Sequence, residues 1–185
     1  KAFMLQHYAP ENTVFALSGS FNDSHLDRIC NLFSSMDGSL ARHTKSAKYT
    51  PSFTVKRKAT EQNHICIAFP CPGIEDKDRY TLQLISAILG RGMSSRLFQR
   101  IREQRGLCYS IYTFGVLHTD IGLFGIYTAL GSEMEREALH LIMQEVCRFR
   151  DSGATAAELD RAREQSKANV LMGLESTAAR MHVLG

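Results

Sequence analysis

Hydrophobic residues change their period several times along the chain, and each change marks an element. Between Asn12 and Gly19 the unbroken run Val14-Phe15-Ala16-Leu17 has the length of a buried strand. Beyond Asp23, a capping residue, Leu26, Ile29, Cys30 and Phe33 recur at helical spacing. From Asp37 to Pro51 there is no apolar period, and Gly38, Ser39, Ser46, Thr50 and Pro51 lie among basic residues, which reads as a linker. Alternation returns from His64 to Phe69, before Pro70 and Pro72, with Ile65, Ile67 and Phe69 on one side and His64, Cys66 and Ala68 on the other. Neither side is strongly polar, so this strand is expected to be covered on both.

A helix follows from Asp76 or Asp78 to Gly90, with Tyr80, Leu82, Leu84, Ile85, Ile88 and Leu89 spread around most of its circumference, the mark of a central helix. Ser94 or Ser95 starts a shorter helix to about Arg105, closed by Gly106. Tyr109 to Val116 and Ile121 to Ala129 are rich in β-branched and aromatic residues and are joined by a connection of hairpin length. Ser132 caps a helix that breaks at Ser152-Gly153. The next opens on a capping box, Thr155 with Glu158, and runs to Leu174, tolerating Gly173. Hairpins and helices without strand–helix–strand alternation predict an α+β fold, an antiparallel sheet with helices packed on one face.

Composition removes several classes. Hydrophobic residues at 44% and charged residues at 22% suit a packed soluble core, and no apolar run approaches the ~20 residues of a spanning helix. A formal charge of +3 is too small to imply nucleic acid or an anionic membrane as partner. Cys30, Cys66, Cys71, Cys108 and Cys147 are odd in number and never spaced C-x-x-C, which favours reduced thiols and a cytoplasmic setting. The chain opens at Lys1 without a basic-then-apolar leader and stops at Gly185 soon after a long helix, as a piece of something larger would.

The chemistry-bearing residues are sparse. The histidines His7, His25, His43, His64, His118, His140 and His182 are scattered, none in H-E-x-x-H or H-x-x-E-H, so no zinc site is expected here. His64 reads as a hydrogen-bonded core histidine. Gly90-Arg91-Gly92-Met93-Ser94-Ser95 follows a helix and lacks the Lys of a phosphate loop, so it reads as a tight turn between helices. Arg91, Arg96, Arg100, Arg102 and Arg105 read as a solvated helical face, because the aromatic residues that would stack on bases lie in the next strand.

The stretch Leu89-Gly-Arg-Gly-Met-Ser-Ser-Arg-Leu-Phe-Gln-Arg-Ile-Arg-Glu-Gln-Arg-Gly-Leu-Cys-Tyr-Ser-Ile-Tyr112 closely resembles a signature of the pitrilysin/insulinase-like zinc metallopeptidases, the group that includes mitochondrial processing peptidase. His7-Tyr8-Ala9-Pro10-Glu11-Asn12 and Asp120-Ile121-Gly122-Leu123-Phe124 resemble two further motifs of the same proteins, so the resemblance covers nearly the whole chain. It implies two related α+β halves facing a chamber. The first half holds zinc through His-x-x-Glu-His and a further glutamate, which also supplies the metal-activated water and its general base. The second half supplies an arginine and, seven residues later, a tyrosine that hold the peptide and stabilise the transition state. Matched by position, these are Arg102 and Tyr109.

On that resemblance, residues 1–36 are a strand and helix from the end of a catalytic half and 37–51 are the linker. Residues 52–185 are an inactive, substrate-binding peptidase domain truncated at its C-terminus. The implied whole is a zinc-dependent metalloendopeptidase, with zinc held outside this chain and no catalytic residue within it. The implied partners are a peptide substrate and either the catalytic half or a zinc-binding partner subunit, with no nucleic acid and no membrane. A peptide-binding or assembly subunit of a catalytically silent member is the alternative. Without its usual neighbours, the segment Asn12–Phe33 is expected to be disordered, to fold back on the domain or to pair with another copy as a homodimer.

Overall fold

The computed structural model describes residue 3, residues 8–36 and residues 46–184. His7, His43 and the part of the expected linker at 37–45 lie outside the described residues. In chain order the elements are α1 (Asp23–Phe33), β1 (Asn63–Cys71), α2 (Arg79–Gly90), a π-helix (Phe98–Glu103), β2 (Ser110–Leu117), β3 (Gly122–Leu130), α3 (Glu135–Ser152), α4 (Ala156–Gly173) and α5 (Thr177–Leu184), with 3₁₀ turns at Pro10–Asn12 and Ser132–Met134. They fall into two compact units, one of Ser46–Ser166 and one of Lys1–Lys45 with Lys167–Gly185.

In the larger unit the β2–β3 hairpin forms as its apolar alternation predicts, and β1 joins the other side of β3. The antiparallel sheet has the order β1-β3-β2, so β3, the most apolar strand, is central. On one face Ile111, Phe124, Ile126 and Leu130 pack with Leu89, Leu97, Ile101, Leu141 and Ile142 of the helical layer. Leu97, Ile101, Ile126, Leu130 and Ile142 are fully buried, each worth about 1.5–3 kcal/mol of transfer free energy. α2 approaches β2 at backbone distance: a Cβ on Gly90 would lie 2.5 Å from Thr113 Cγ2, and the Ser86 and Thr113 hydroxyls meet at 2.9 Å beside it.

The other face departs from expectation. Along β1 the residues alternate strictly, and His64, Cys66, Ala68 and Pro70 are exposed, so this strand is covered on one side only. His64 does find its hydrogen bond, Nδ1 to the Tyr127 hydroxyl at 2.7 Å, but on the open face and not in the core. Tyr112 and Tyr127 stack across the strands at 4.8 Å between ring centroids, and Phe114 lies over Gly125, where a Cβ would come within 2.2 Å of the ring.

Two boundaries move and one helix is added. Ser132 begins a 3₁₀ turn, and α3 starts at Glu135 behind it. The Thr155–Glu158 box forms as expected, with Thr155 N–H donating to Glu158 Oε2 at 2.8 Å and Glu158 N–H to Thr155 Oγ1 at 3.3 Å. Its helix ends at Gly173, however, and a separate α5 follows from Thr177. Glycine's missing side chain and extra backbone freedom make that break cheap.

In the smaller unit, α1 forms one residue behind Asn22, whose N–H donates to His25 Nδ1 at 3.3 Å. Residues 13–18 carry no strand. A strand is held by a neighbour that accepts its backbone hydrogen bonds, and no described segment offers one here. Val14 is 73% exposed, and Phe15 stacks on Phe33 at 4.3 Å while both remain partly open.

Candidate functional site

The end of the sheet that carries Tyr109 is built from two irregular stretches of backbone. Winding begins as an α-turn, Gln99 N–H donating to the Ser95 carbonyl at 3.0 Å, and then widens so that Gln104 N–H reaches Gln99, five residues back, at 2.9 Å. The expected α-helix is therefore largely a π-helix, a form that recurs at functional positions. Gly106 ends it at φ 63°, sending its own N–H to the Arg102 carbonyl and the Leu107 N–H to the Ile101 carbonyl, both at 3.0 Å. A Cβ at Gly106 would meet nothing within 4 Å, so glycine is required there by the dihedral and not by space.

Tyr109 N–H then donates to the Ala129 carbonyl at 3.0 Å, although Ser110 already faces Ala129 in the register. Tyr109 thus meets β3 just ahead of the first paired residue of β2, at the entrance of the strand. Tyr109 is 70% exposed, and Arg102 is exposed with its guanidinium 4.8 Å from the centre of the Phe98 ring. Neither lies in the hydrophobic interior. Between them, burial pushes the Cys108 thiol above its ordinary range, while the Thr128 hydroxyl and the Arg102 charge pull it down.

Arg91 and Arg105 are exposed as a solvated face requires, but Arg96 and Arg100 are not. Arg96 makes a bidentate pair with Glu158 at 2.6 and 2.7 Å, donates to the Gly153 carbonyl at 3.0 Å and lies 5.0 Å from the Phe149 ring. Arg100 bonds the buried Glu145 at 2.5 Å, and Arg96 reaches the same carboxylate at 3.6 Å. Hydrogen bonding from Arg96 is the largest influence holding the Glu158 carboxyl down to about 2. Arg100 therefore ties the π-helix to α3, and Arg96, just ahead of it, ties the start of the winding to α3 and α4. Arg102 is left free of any carboxylate within salt-bridge distance among the described residues, over Phe98 alone. The sequence signal for this division was the pair of carboxylates at 145 and 158 on the following helices, which only the folded packing brings to the arginines.

Zinc chemistry requires a ligand set, and the described residues do not fit one: no group of three or more His, Cys, Asp or Glu side chains is placed to hold a metal ion. All five cysteines are free. Among the described residues no helix is long and apolar enough to cross a membrane.

Residues 1–166 match the family described as the peptidase M16 inactive domain. The chain is 31% identical over 183 residues to a Bacillus subtilis protein described as the uncharacterized zinc protease YmxG, covering 98% of the chain and 44% of that protein. It is 29% identical over 195 residues to an uncharacterized zinc protease of Streptomyces coelicolor, covering 100% of the chain and 42% of that protein. The chain thus spans less than half the length of these curated relatives. Among solved structures, the peptidase M16 inactive domain from Pseudomonas fluorescens superposes with a TM-score of 0.70 at 25% identity, over 89% of this chain and 40% of that one. A Helicobacter pylori protease superposes with a TM-score of 0.74 at 18% identity, over 90% of this chain and 43% of that one, which supports the fold. The α+β architecture, the signature around the π-helix and these matches agree: the chain belongs to the pitrilysin-type M16 peptidase family, as its inactive domain.

Proposed function

We propose that this chain is the substrate-binding, non-catalytic half of a zinc-dependent metalloendopeptidase, working in the cytoplasm beside a catalytic half or partner subunit that holds the zinc. On this reading residues 52–185 form the peptide-holding domain, preceded by a linker at 37–51 and, at 1–36, a remnant of the catalytic half. What supports it is that Arg102 on the π-helix and Tyr109 just ahead of β2 are both exposed and lie on either side of the Gly106 turn. The π-winding and the left-handed glycine turn set where these two side chains emerge, since continued regular winding would place them elsewhere.

A guanidinium presents donors in a fixed fork to a peptide carbonyl or carboxylate, and a phenol donates one directed hydrogen bond to an oxygen on which charge develops. Arg102 holds and orients the peptide; Tyr109 supplies the directed donor. Loss of one such donor costs about 3–4 kcal/mol of barrier in a complete enzyme.

The test is a fluorescence-anisotropy titration of a labelled unstructured peptide with the chain and with Arg102→Ala and Tyr109→Phe. Each variant is expected to bind at least about tenfold more weakly with unchanged circular dichroism. With zinc added, the chain alone is expected to leave the peptide uncut. Unaltered affinity in both variants, or metal-dependent cleavage by the isolated chain, overturns the proposal.

A further inference from the structure

Ahead of β1, residues 48–54 run over the open face of the sheet as a strap. Its root is tied down by Asp120, whose carboxylate accepts the Ala47 N–H at 2.6 Å and the Ser46 hydroxyl at 3.3 Å. Further along, the Tyr49 hydroxyl reaches the Ala68 carbonyl of β1 at 3.4 Å. Between strap and sheet lies a cavity of about 530 Å³. Its roof carries Lys48 and the hydroxyls of Thr50 and Ser52, and its floor is Cys66, Ala68 and Leu123. The volume is in the range of sites that enclose a small ligand or a short stretch of peptide.

The strap that roofs this cavity carries charge of one sign. Residues 46–60 include Lys48, Lys56, Arg57 and Lys58 and no Asp or Glu. Among the described residues no carboxylate lines the cavity, and the neighbouring Asp120 accepts hydrogen bonds from the root of the strap. A cationic roof with hydroxyl donors above an apolar floor complements a carboxylate attached to an aliphatic stem, because the charge is met by donors while the stem leaves water.

We propose that this cavity is a subsite for an acidic stretch of peptide, with a Glu or Asp carboxylate at Lys48 and the strap hydroxyls and the adjoining aliphatic groups on Ala68 and Leu123. The proposal rests on the peptide-binding reading above and adds a substrate preference to it.

Cys66 gives a reporter inside the cavity, since its thiol is free and the residue is exposed. The experiment measures the rate of maleimide addition at Cys66 of the full chain, resolved from the other thiols by peptide mass mapping. A blocked peptide of alternating Glu and Leu is compared with its Gln isostere. The Glu peptide is expected to slow labelling at Cys66, and the concentration for half-protection is expected to rise at least about tenfold in Lys48→Gln, the size of one charge-assisted contact. Equal protection by the Glu and Gln peptides, or no dependence on Lys48, overturns the subsite. If peptides bind in a manner that needs Arg102 and Tyr109 yet leave Cys66 labelled at the free rate, the subsite alone falls. If neither peptide binds by anisotropy, the peptide-binding reading falls with it.

Discussion

The two faces of this one sheet are made from the same three strands yet follow different rules. In β3, Ile126 points to the helical layer and is 1% exposed, while its neighbour Tyr127 points the other way, hydrogen-bonded to His64 and stacked on Tyr112. The helix-side face is aliphatic and closed. The opposite face is aromatic, carries the free thiol of Cys66 and polar tips, and is largely open. One face thus carries the stability of the fold, and the other combines aromatic area with directed polar groups in partial contact with solvent.

Breaking the comparison begins on the closed side. Ile126→Ala removes a fully buried side chain and is expected to cost about 2–5 kcal/mol by urea denaturation. Glu145→Ala comes next, because it leaves the Arg96 and Arg100 guanidiniums without the buried carboxylate they share; a loss of about 3 kcal/mol is expected, with the π-helix exchanging its amide hydrogens faster. The same cluster gives an acid signature. The Glu158 carboxyl ionises near 2 in the folded chain against its ordinary 4.5, so its contribution is complete above about 4.5 and is lost as the pH falls toward 2. A stability–pH curve should slope down across that window, and less steeply in Glu158→Gln. The smallest effect is expected on the open side, where Tyr127→Ala should cost only about 1 kcal/mol, the scale of one aromatic pair. Equal losses for Ile126→Ala and Tyr127→Ala would remove the distinction between the faces.

The sequence carried the fold further than the site. Alternation fixed the hairpin and β1, and the Thr155–Glu158 box marked the start of α4, because these signals are local and the packing agrees with them. The run Val14–Leu17 read as a strand and is not one, since a strand also depends on a neighbour that local pattern cannot show. The coverage of β1 was misread because Cys66 and Ala68 are apolar yet open to solvent. At the site, Arg102 and Tyr109 could be named from the resembling motif, but the π-winding could not, because residues of ordinary helix propensity allow either form. Nor could Arg96 and Arg100 be told from Arg102 by type; the distinction lies in Glu145 and Glu158, brought in from helices α3 and α4.

The most direct measurement is a double-mutant cycle between positions 102 and 109, read as peptide affinity with Arg102→Ala, Tyr109→Phe and the two combined. If the guanidinium and the phenol grip one peptide together, the combined loss should be smaller than the product of the single losses, a coupling of about 0.5–3 kcal/mol. Strictly independent losses, or a double variant that binds as well as the unaltered chain, would contradict the account.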